Sequence, residues 1–306
     1  MLVVAATLVG CSVPVERLAP EPWPPAGPAR PSVQPTPAPS PADPPPERAP
    51  ADVPPEAPAP PAQGPVRDPD ACAGVDNTLR SWYYRPAAAG QVPTVPAEVA
   101  AIVARYGVLW RMPTSERVIY LTFDQGYEAG FTARILDTLR DKNVRATFFL
   151  TGSYVRNQPD LVRRMVAEGH VVGNHTQSHP SLPGIASDPR AFSEEYRAVE
   201  RAFRAATGQS LAALERPPRG EYSERTLCMA RALGYTSVMW SFAHRDWLLD
   251  DQPPVDVTYQ RIVDGAHPGA IMLLHSVSES NTLALPRAID ELRRRGYRFA
   301  ALDDAR

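Results

Sequence analysis

Two histidines four residues apart, His175 and His179, stand in the run Asn174-His175-Thr176-Gln177-Ser178-His179. In a helix or turn that spacing presents both imidazoles on one side, which suits a divalent metal. Alone the pattern is weak, since such pairs also arise as ordinary surface residues. Four other segments carry side chains of related chemistry. Thr122-Phe123-Asp124-Gln125-Gly126 brings a carboxylate, and Arg216-Pro217-Pro218-Arg219-Gly220 brings guanidinium groups on a stiff turn. Arg245-Asp246-Trp247 sets a second carboxylate beside an indole, and Leu273-Leu274-His275 ends in a third imidazole. Each has a structural reading of its own. An Asp at a strand end caps or turns the chain, an Arg-Pro-Pro turn shapes a loop, and a His closing a strand sits satisfied in a core.

Position is what joins them. Val118–Phe123 reads as a buried strand followed by a helix over 131–142, with Ile135, Leu136 and Leu139 on one face. Residues 146–151 form a second strand, and Pro159 starts a helix that Gly169 stops. Val171-Val172 is a third strand, Asp188-Pro189 opens a long helix ending at Gly208, and Ser223 caps one ending at Gly234. Further strands are expected over 237–241, 270–274 and 297–302, with a helix over 282–295. About seven β/α units imply a parallel sheet, closed as a small irregular barrel or left open. All five polar segments then fall at C-terminal strand ends, where barrels keep their chemistry. Asp124 is expected to face solvent there.

The rest of the chain bounds the reading. Of 306 residues 36 are proline, crowded between residues 14 and 69 among Ala, Glu and Arg. That stretch lacks the residues that build a core, so it is expected to stay extended and solvated. The organisation expected is a signal segment over 1–11, a Pro-rich linker over 12–75, and one folded domain over 76–306. Within the last, residues 82–115 (Trp82-Tyr83-Tyr84, a turn at Gly90, a helix over 97–106) form a preamble that packs on the core 118–302. A net charge of −2 with dispersed Lys and Arg excludes nucleic acid as a partner, and no protein partner is implied. No apolar run of about 20 residues spans a membrane. Residues 2–9 are a short apolar run, without a preceding Lys or Arg, and Leu8-Val9-Gly10-Cys11 resembles the bacterial lipobox. Cys11 is therefore the expected lipidation site, and the chain is expected on the outer face of the cell membrane, held by lipid only. In an exported chain Cys72 and Cys228 either pair or stay as buried thiols; the sequence leaves both open.

In order, the five segments resemble the five motifs of the NodB-homology domain of carbohydrate esterase family 4, over Val118–Leu302. A closer resemblance, over residues 80–304, is to the delta-lactam-biosynthetic de-N-acetylases. It rests on T-F-D-Q-G-Y-E-A-G, G-N-H-T-Q-S-H-P, R-P-P-R-G-E-Y-S-E, A-H-P-G-A-I-M-L-L-H-S and the upstream W-Y-Y. The resemblance implies an irregular (β/α) barrel and a metal-dependent polysaccharide N-deacetylase acting on peptidoglycan glycan strands, with N-acetylmuramic acid as the sugar. It implies that Asp124 is the general base, held by Arg216, and that His175 and His179 bind one divalent ion, zinc first, with cobalt, manganese or magnesium as alternatives. It further implies that Asp246 orients His275, which protonates the leaving amine, while Trp247 walls the groove and Leu273 meets the acetyl methyl. Amide hydrolysis asks for this set: a water activated by metal, donors for the oxyanion shared by the metal and a backbone N–H near Arg219, and an imidazolium acid.

One residue departs from the family's pattern. Most members carry a second Asp where this chain has Gln125, and a neutral amide is a poorer ligand; the delta-lactam subgroup also tends to an amide there. Rival readings are a deacetylase of N-acetylglucosamine in peptidoglycan or chitin-like oligomers, and a glycan-binding lipoprotein without catalysis. Arg219 bears on sugar choice, because its guanidinium suits the lactyl carboxylate of peptide-free muramic acid. It could instead brace its loop through Glu221 or Glu224.

Overall fold

The structure, a computed structural model, describes residues 68–303; Cys11 and most of the Pro-rich stretch lie outside them. In chain order the elements are β1 (Arg80–Ser81), α1 (Ala97–Tyr106), β2 (Val118–Gln125), α2 (Thr132–Asp141), β3 (Thr147–Leu150), α3 (Gly152–Asn157), α4 (Pro159–Ala167), β4 (Val171–Asn174), α5 (Leu182–Ile185) and α6 (Pro189–Thr207). There follow β5 (Leu214–Glu215), β6 (Glu221–Tyr222), α7 (Glu224–Ala232), β7 (Thr236–Ser237), α8 (Val255–Asp264), β8 (Ala270–His275), α9 (Glu279–Arg294) and β9 (Arg298–Ala300).

All eight residues of β2 are buried, as its unbroken apolar run requires of a strand covered on both faces. The parallel sheet runs β7-β5-β4-β3-β2-β8, with β9 beside the first half of β2. Side chains alternate along each strand. Ile119, Leu121 and Phe123 pack outward with Ile135, Leu136, Leu139 and Leu292 under the helices. Val118 and Tyr120 point inward with Phe149, Leu214, Val238 and Ile271. Asp124, Arg216 and His275 continue the inward rows of β2, β5 and β8.

The expected strand over 237–241 is shorter, because the chain changes partner in the middle of it. Val238 N–H still donates to Glu215 O (2.8 Å), but Ser241 N–H donates to Ile271 O (3.0 Å) and Leu273 N–H to Phe242 O (2.9 Å). Ser241 Oγ accepts from Ile271 N–H (3.2 Å) and meets His267 Nε2 (2.9 Å), fixing the crossing. The sheet thereby curls toward a barrel, and the loop carrying Asp246 is delivered beside His275. The helices begin where their caps dictate. Asp188 accepts from the N–H groups of Arg190 and Ala191, and Ser223 forms a capping box with Thr226. Helix α9 starts at Glu279, three residues before the expected 282, because Ser278 Oγ accepts from Asn281 N–H.

The preamble packs as expected. Helix α1 lies where its sequence places it, Trp82 Nε1 donates to Trp240 O (2.9 Å), and β1 pairs antiparallel with β6. Residues 68–75, at the end of the stretch read as linker, include a 3-10 turn at Pro69–Cys72. A disulfide joins Cys72 to Cys228 on α7, with Cα atoms 5.9 Å apart across 156 residues of sequence, so of the two readings left open the pairing is the one found. Closing so long a loop restricts the unfolded chain strongly, and Cys228→Ala should cost about 2–5 kcal/mol. Urea unfolding with and without reductant measures this; equal midpoints would mean the bond adds nothing.

Candidate active site

Among the described residues Arg216 is the largest fully buried side chain, with none of its surface exposed. Its Nη1 donates to Asp124 Oδ1 (2.7 Å), its Nε to Val238 O (3.1 Å), and its Nη2 to Met239 O (3.4 Å). The guanidinium lies over the Phe149 ring at 4.3 Å, a contact that strengthens out of water. Phe149 can sit there because residue 173 is glycine: a Cβ at Gly173 would come within 2.7 Å of its ring. Asp124 is also buried, 8% exposed. The expectation that it faces solvent is corrected; it belongs to the inward row and is drawn under the surface by Arg216.

Burial by itself would raise the Asp124 carboxyl, but Arg216, then His175 and His275, more than offset this and hold it below the ordinary carboxylate value. With Oδ1 committed to Arg216, Oδ2 is the free oxygen, 3.6 Å from His175 Nε2. His175 Nδ1 lies 2.8 Å from Arg216 O. A carbonyl only accepts, so the proton sits on Nδ1 and Nε2 keeps its lone pair. Thr176 and His179 adopt left-handed φ values of 65° and 60°. The histidines therefore face each other across a tight turn, rings 4.9 Å apart, and not along a helix. Burial lowers both imidazoles, His179 to about 4, so both are neutral near pH 7.

Across the cleft, Asp124 and His275 are register partners on neighbouring strands. His275 Nδ1 is 2.7 Å from Asp246 Oδ1, and its backbone N–H donates to Asp246 Oδ2 (2.8 Å). Burial pulls the His275 imidazole down, but Asp246, and then Asp124, raise it above its ordinary value. The site thus holds a carboxylate kept ionised on one strand and an imidazole inclined to carry a proton on the next.

The comparisons with known proteins agree with this geometry. The polysaccharide deacetylase family matches residues 111–238. The peptidoglycan-N-acetylmuramic acid deacetylase PdaA of Bacillus subtilis is 39% identical over 230 residues, 75% of this chain and 87% of that protein. A peptidoglycan-N-acetylglucosamine deacetylase of Bacillus cereus is 33% identical over 202 residues, 64% of this chain and 92% of that protein. The solved structure of B. subtilis PdaA, a family 4 carbohydrate esterase, matches with a TM-score of 0.73 at 38% identity, covering 76% of this chain and 98% of that one. The chain belongs to the polysaccharide deacetylases of carbohydrate esterase family 4.

In this deacetylase Leu273 is buried on the inward row two residues before His275. Trp247 is half exposed, with its ring 5.7 Å from that of His275. Arg219 is in the left-handed region at φ 60°. Its Nη2 donates to His179 O (3.3 Å), and its Nη1 lies 3.8 Å from Glu221; Glu224 pairs with Arg105 instead. Half of the Arg219 side chain remains exposed.

A divalent ion suits the donor chemistry present: two neutral imidazoles, one of them oriented through its other nitrogen by a carbonyl. Among the described residues no three His, Cys, Asp or Glu side chains form a ready ligand group. Gln125 follows Asp124 on the opposite, outward row. Its Nε2 donates to Ser276 Oγ (2.5 Å), and its Oε1 is a buried oxygen with no partner.

Three positioning contacts escaped the sequence reading. Glu195 on α6 accepts from both the N–H and the Oγ of Ser178, bracing the turn between the two histidines. Asn281 donates to Asp246, and His244 meets Asn281. The Ser278-x-x-Asn281 spacing is a helix-start signal that could have placed Asn281 inside the first turn of α9, beside His275.

Because Arg216 is fully buried, Asp124→Asn should not be neutral to the fold. It should lower stability on the order of 3 kcal/mol, as when one partner of a buried pair loses its charge, as well as abolishing most activity. Denaturant unfolding of the variant checks this; wild-type stability would mean that Arg216 does not depend on that charge.

Proposed function

We propose that this deacetylase removes the acetyl group from N-acetylmuramic acid of peptidoglycan, with one divalent ion at His175 and His179. The observation that carries the chemistry is the pairing of Asp124 and His275 on adjacent strands, with the carboxyl shifted down by its neighbours and the imidazole shifted up. The 39% identity to a muramic acid deacetylase supports the sugar.

The ion would supply Lewis-acid polarisation of the acetyl carbonyl. Asp124 Oδ2 takes a proton from the attacking water as the water oxygen bonds to the acetyl carbon. When the carbon–nitrogen bond breaks, its electron pair goes to nitrogen, and His275 Nε2–H delivers the proton that makes the amine a leaving group. Asp246 keeps that imidazole charged until then. Arg216 prevents Asp124 from being neutralised by burial, and Leu273 gives the acetyl methyl an apolar wall. Trp247 offers a face to a sugar ring.

Arg219 bears on which sugar is taken. Its exposed portion is available to a lactyl carboxylate, and its bond to His179 O holds it beside the acetyl site. The same bond, with Glu221, favours the second reading, in which Arg219 only braces its turn and the sugar is N-acetylglucosamine. The assay that separates them is acetate release from intact and peptide-stripped peptidoglycan, with and without chelator. Preference for peptide-free muramic acid, lost with chelator and reduced by about one to two orders of magnitude in Arg219→Tyr, is expected from a charge-assisted pair. Equal turnover of both sugars, or a ratio unchanged in the variant, would leave Arg219 structural.

The same reading puts the chain outside the cytoplasm, anchored at Cys11; the Cys72–Cys228 disulfide supports export. Cys11→Ser should remove lipid label from the protein, and retained label would refute the anchor.

The acid assignment also fixes a pH dependence. A proton donor whose pKa is raised works below that raised value and fails above it, so the alkaline limb of kcat/KM should lie above 6.5. The acid limb should lie near 4 or below, where His179 takes a proton before Asp124 does. In Asp246→Asn the larger upward pull on His275 is gone and burial is opposed by Asp124 alone, so the alkaline limb should move to lower pH. A limb that stays in place would exclude His275 as the donor.

A further inference from the structure

We infer that Asn281 is a positioning residue of the proton-donating arm, aligning Asp246 with His275 and held in turn by His244. The inference rests on reading His275 as the donor.

Asn281 is buried, at 1% exposure, in the first turn of α9, with its own N–H on Ser278 Oγ (3.0 Å). Its partners dictate how the amide is turned. Asp246 Oδ2 (2.5 Å) and the His275 carbonyl (3.2 Å) can only accept, so the Nδ2 group faces them and uses both of its protons. The carbonyl Oδ1 then faces His244 Nε2 at 3.0 Å. An amide oxygen only accepts, so His244 carries its proton on Nε2. Among the described residues His244 Nδ1 is left as a buried lone pair without a hydrogen-bond partner, an arrangement that favours the neutral ring. Burial lowers the His244 imidazole, against the pull of Asp246. Keeping it neutral spares Asp246 a second cation, since His244 Nε2 lies 3.8 Å from Asp246 Oδ2.

The consequence falls on one side chain. Asp246 has none of its surface exposed, so its carboxylate depends on the protein groups around it. Its Oδ2 is clamped between the His275 backbone N–H and Asn281, which leaves Oδ1 aimed at His275 Nδ1. Without Asn281 one jaw of that clamp is gone, and the carboxylate can turn about Cβ–Cγ away from the imidazole. Asn281 also holds the carbonyl of His275 itself, so it fixes both the ring's partner and the backbone that carries the ring. It touches no reacting atom; it acts through Asp246 and His275.

A residue with that role should matter only for a leaving group that needs a proton. The test compares acetate release from peptide-stripped peptidoglycan with hydrolysis of 4-nitrophenyl acetate, whose phenolate leaves unaided. In Asn281→Leu, kcat on the glycan should fall about tenfold or more, with KM and the aryl ester rate changed less than about twofold, as loss of general-acid assistance requires. His244→Leu should show the same selective loss, and His244→Gln, whose amide N–H can again donate to Asn281 Oδ1, should restore the glycan rate. Parallel loss on both substrates in Asn281→Leu, or no loss on either, would overturn the inference. If Asn281→Leu does not fold, the His244 pair decides: equal glycan rates in His244→Leu and His244→Gln overturn it. His275→Ala separates this inference from the reading beneath it. If His275→Ala itself loses both activities together, the donor assignment fails; if it alone is selective, only the role of Asn281 fails.

Discussion

The interior of this barrel is organised around one buried ion pair, Asp124 with Arg216. Taking both charges out of water costs several kcal/mol per ion, and the fold meets that cost with every group around them. Two main-chain carbonyls, of Val238 and Met239, accept from the guanidinium, and the Phe149 ring supports its face. The Arg216 carbonyl in turn fixes the tautomer of His175. One side chain therefore joins residues of β2, β3 and β5, the segment after β7, and the histidine turn after β4. A buried pair of this kind is a poor way to gain stability. What it does is keep a carboxylate ionised in a place where burial favours the neutral acid.

From that pair the three imidazoles of the site take their states. Burial lowers His175, and burial followed by the neighbouring His175 lowers His179, so both are held toward the neutral form. His275 is buried as well, but Asp246 accepts from its ring nitrogen and reverses the direction. Identical side chains are thus sorted by their neighbours into two held toward the neutral form and one held toward the charged form. The sorting depends on which strand end each occupies: two leave β4 toward Arg216, and one leaves β8 toward the loop that carries Asp246.

Much of this was legible in the sequence for a local reason. The apolar run of β2 and the Asp188-Pro189 and Ser223 helix starts are set by neighbours in the chain, and the structure holds them where they were expected. What was not legible depends on contacts between distant segments. Asp124 reads as a solvent-facing strand-end residue until Arg216, 92 residues later, draws it inward. The strand over 237–241 reads as one run, but its second half pairs with β8 because Ser241 binds Ile271 and His267. Helix α8 went unanticipated, and its preceding loop carries Asp246. Asn281 was left outside a helix placed three residues too late, so its side chain could not be seen to face Asp246. The Cys72–Cys228 pairing bridges 156 residues, beyond any spacing argument.

Through the groups that surround them, the fold shifts His175 and His179 toward the neutral form and His275 toward the charged one. An NMR titration of the ring nitrogens in the full-length, metal-free protein tests this without reference to catalysis. The account requires His275 to titrate above 6.5, with the Nδ1 proton shared with Asp246, and His179 to remain neutral down to about 4. If His275 loses its proton below 6.5, or His179 is charged at neutral pH, the sorting described here is wrong.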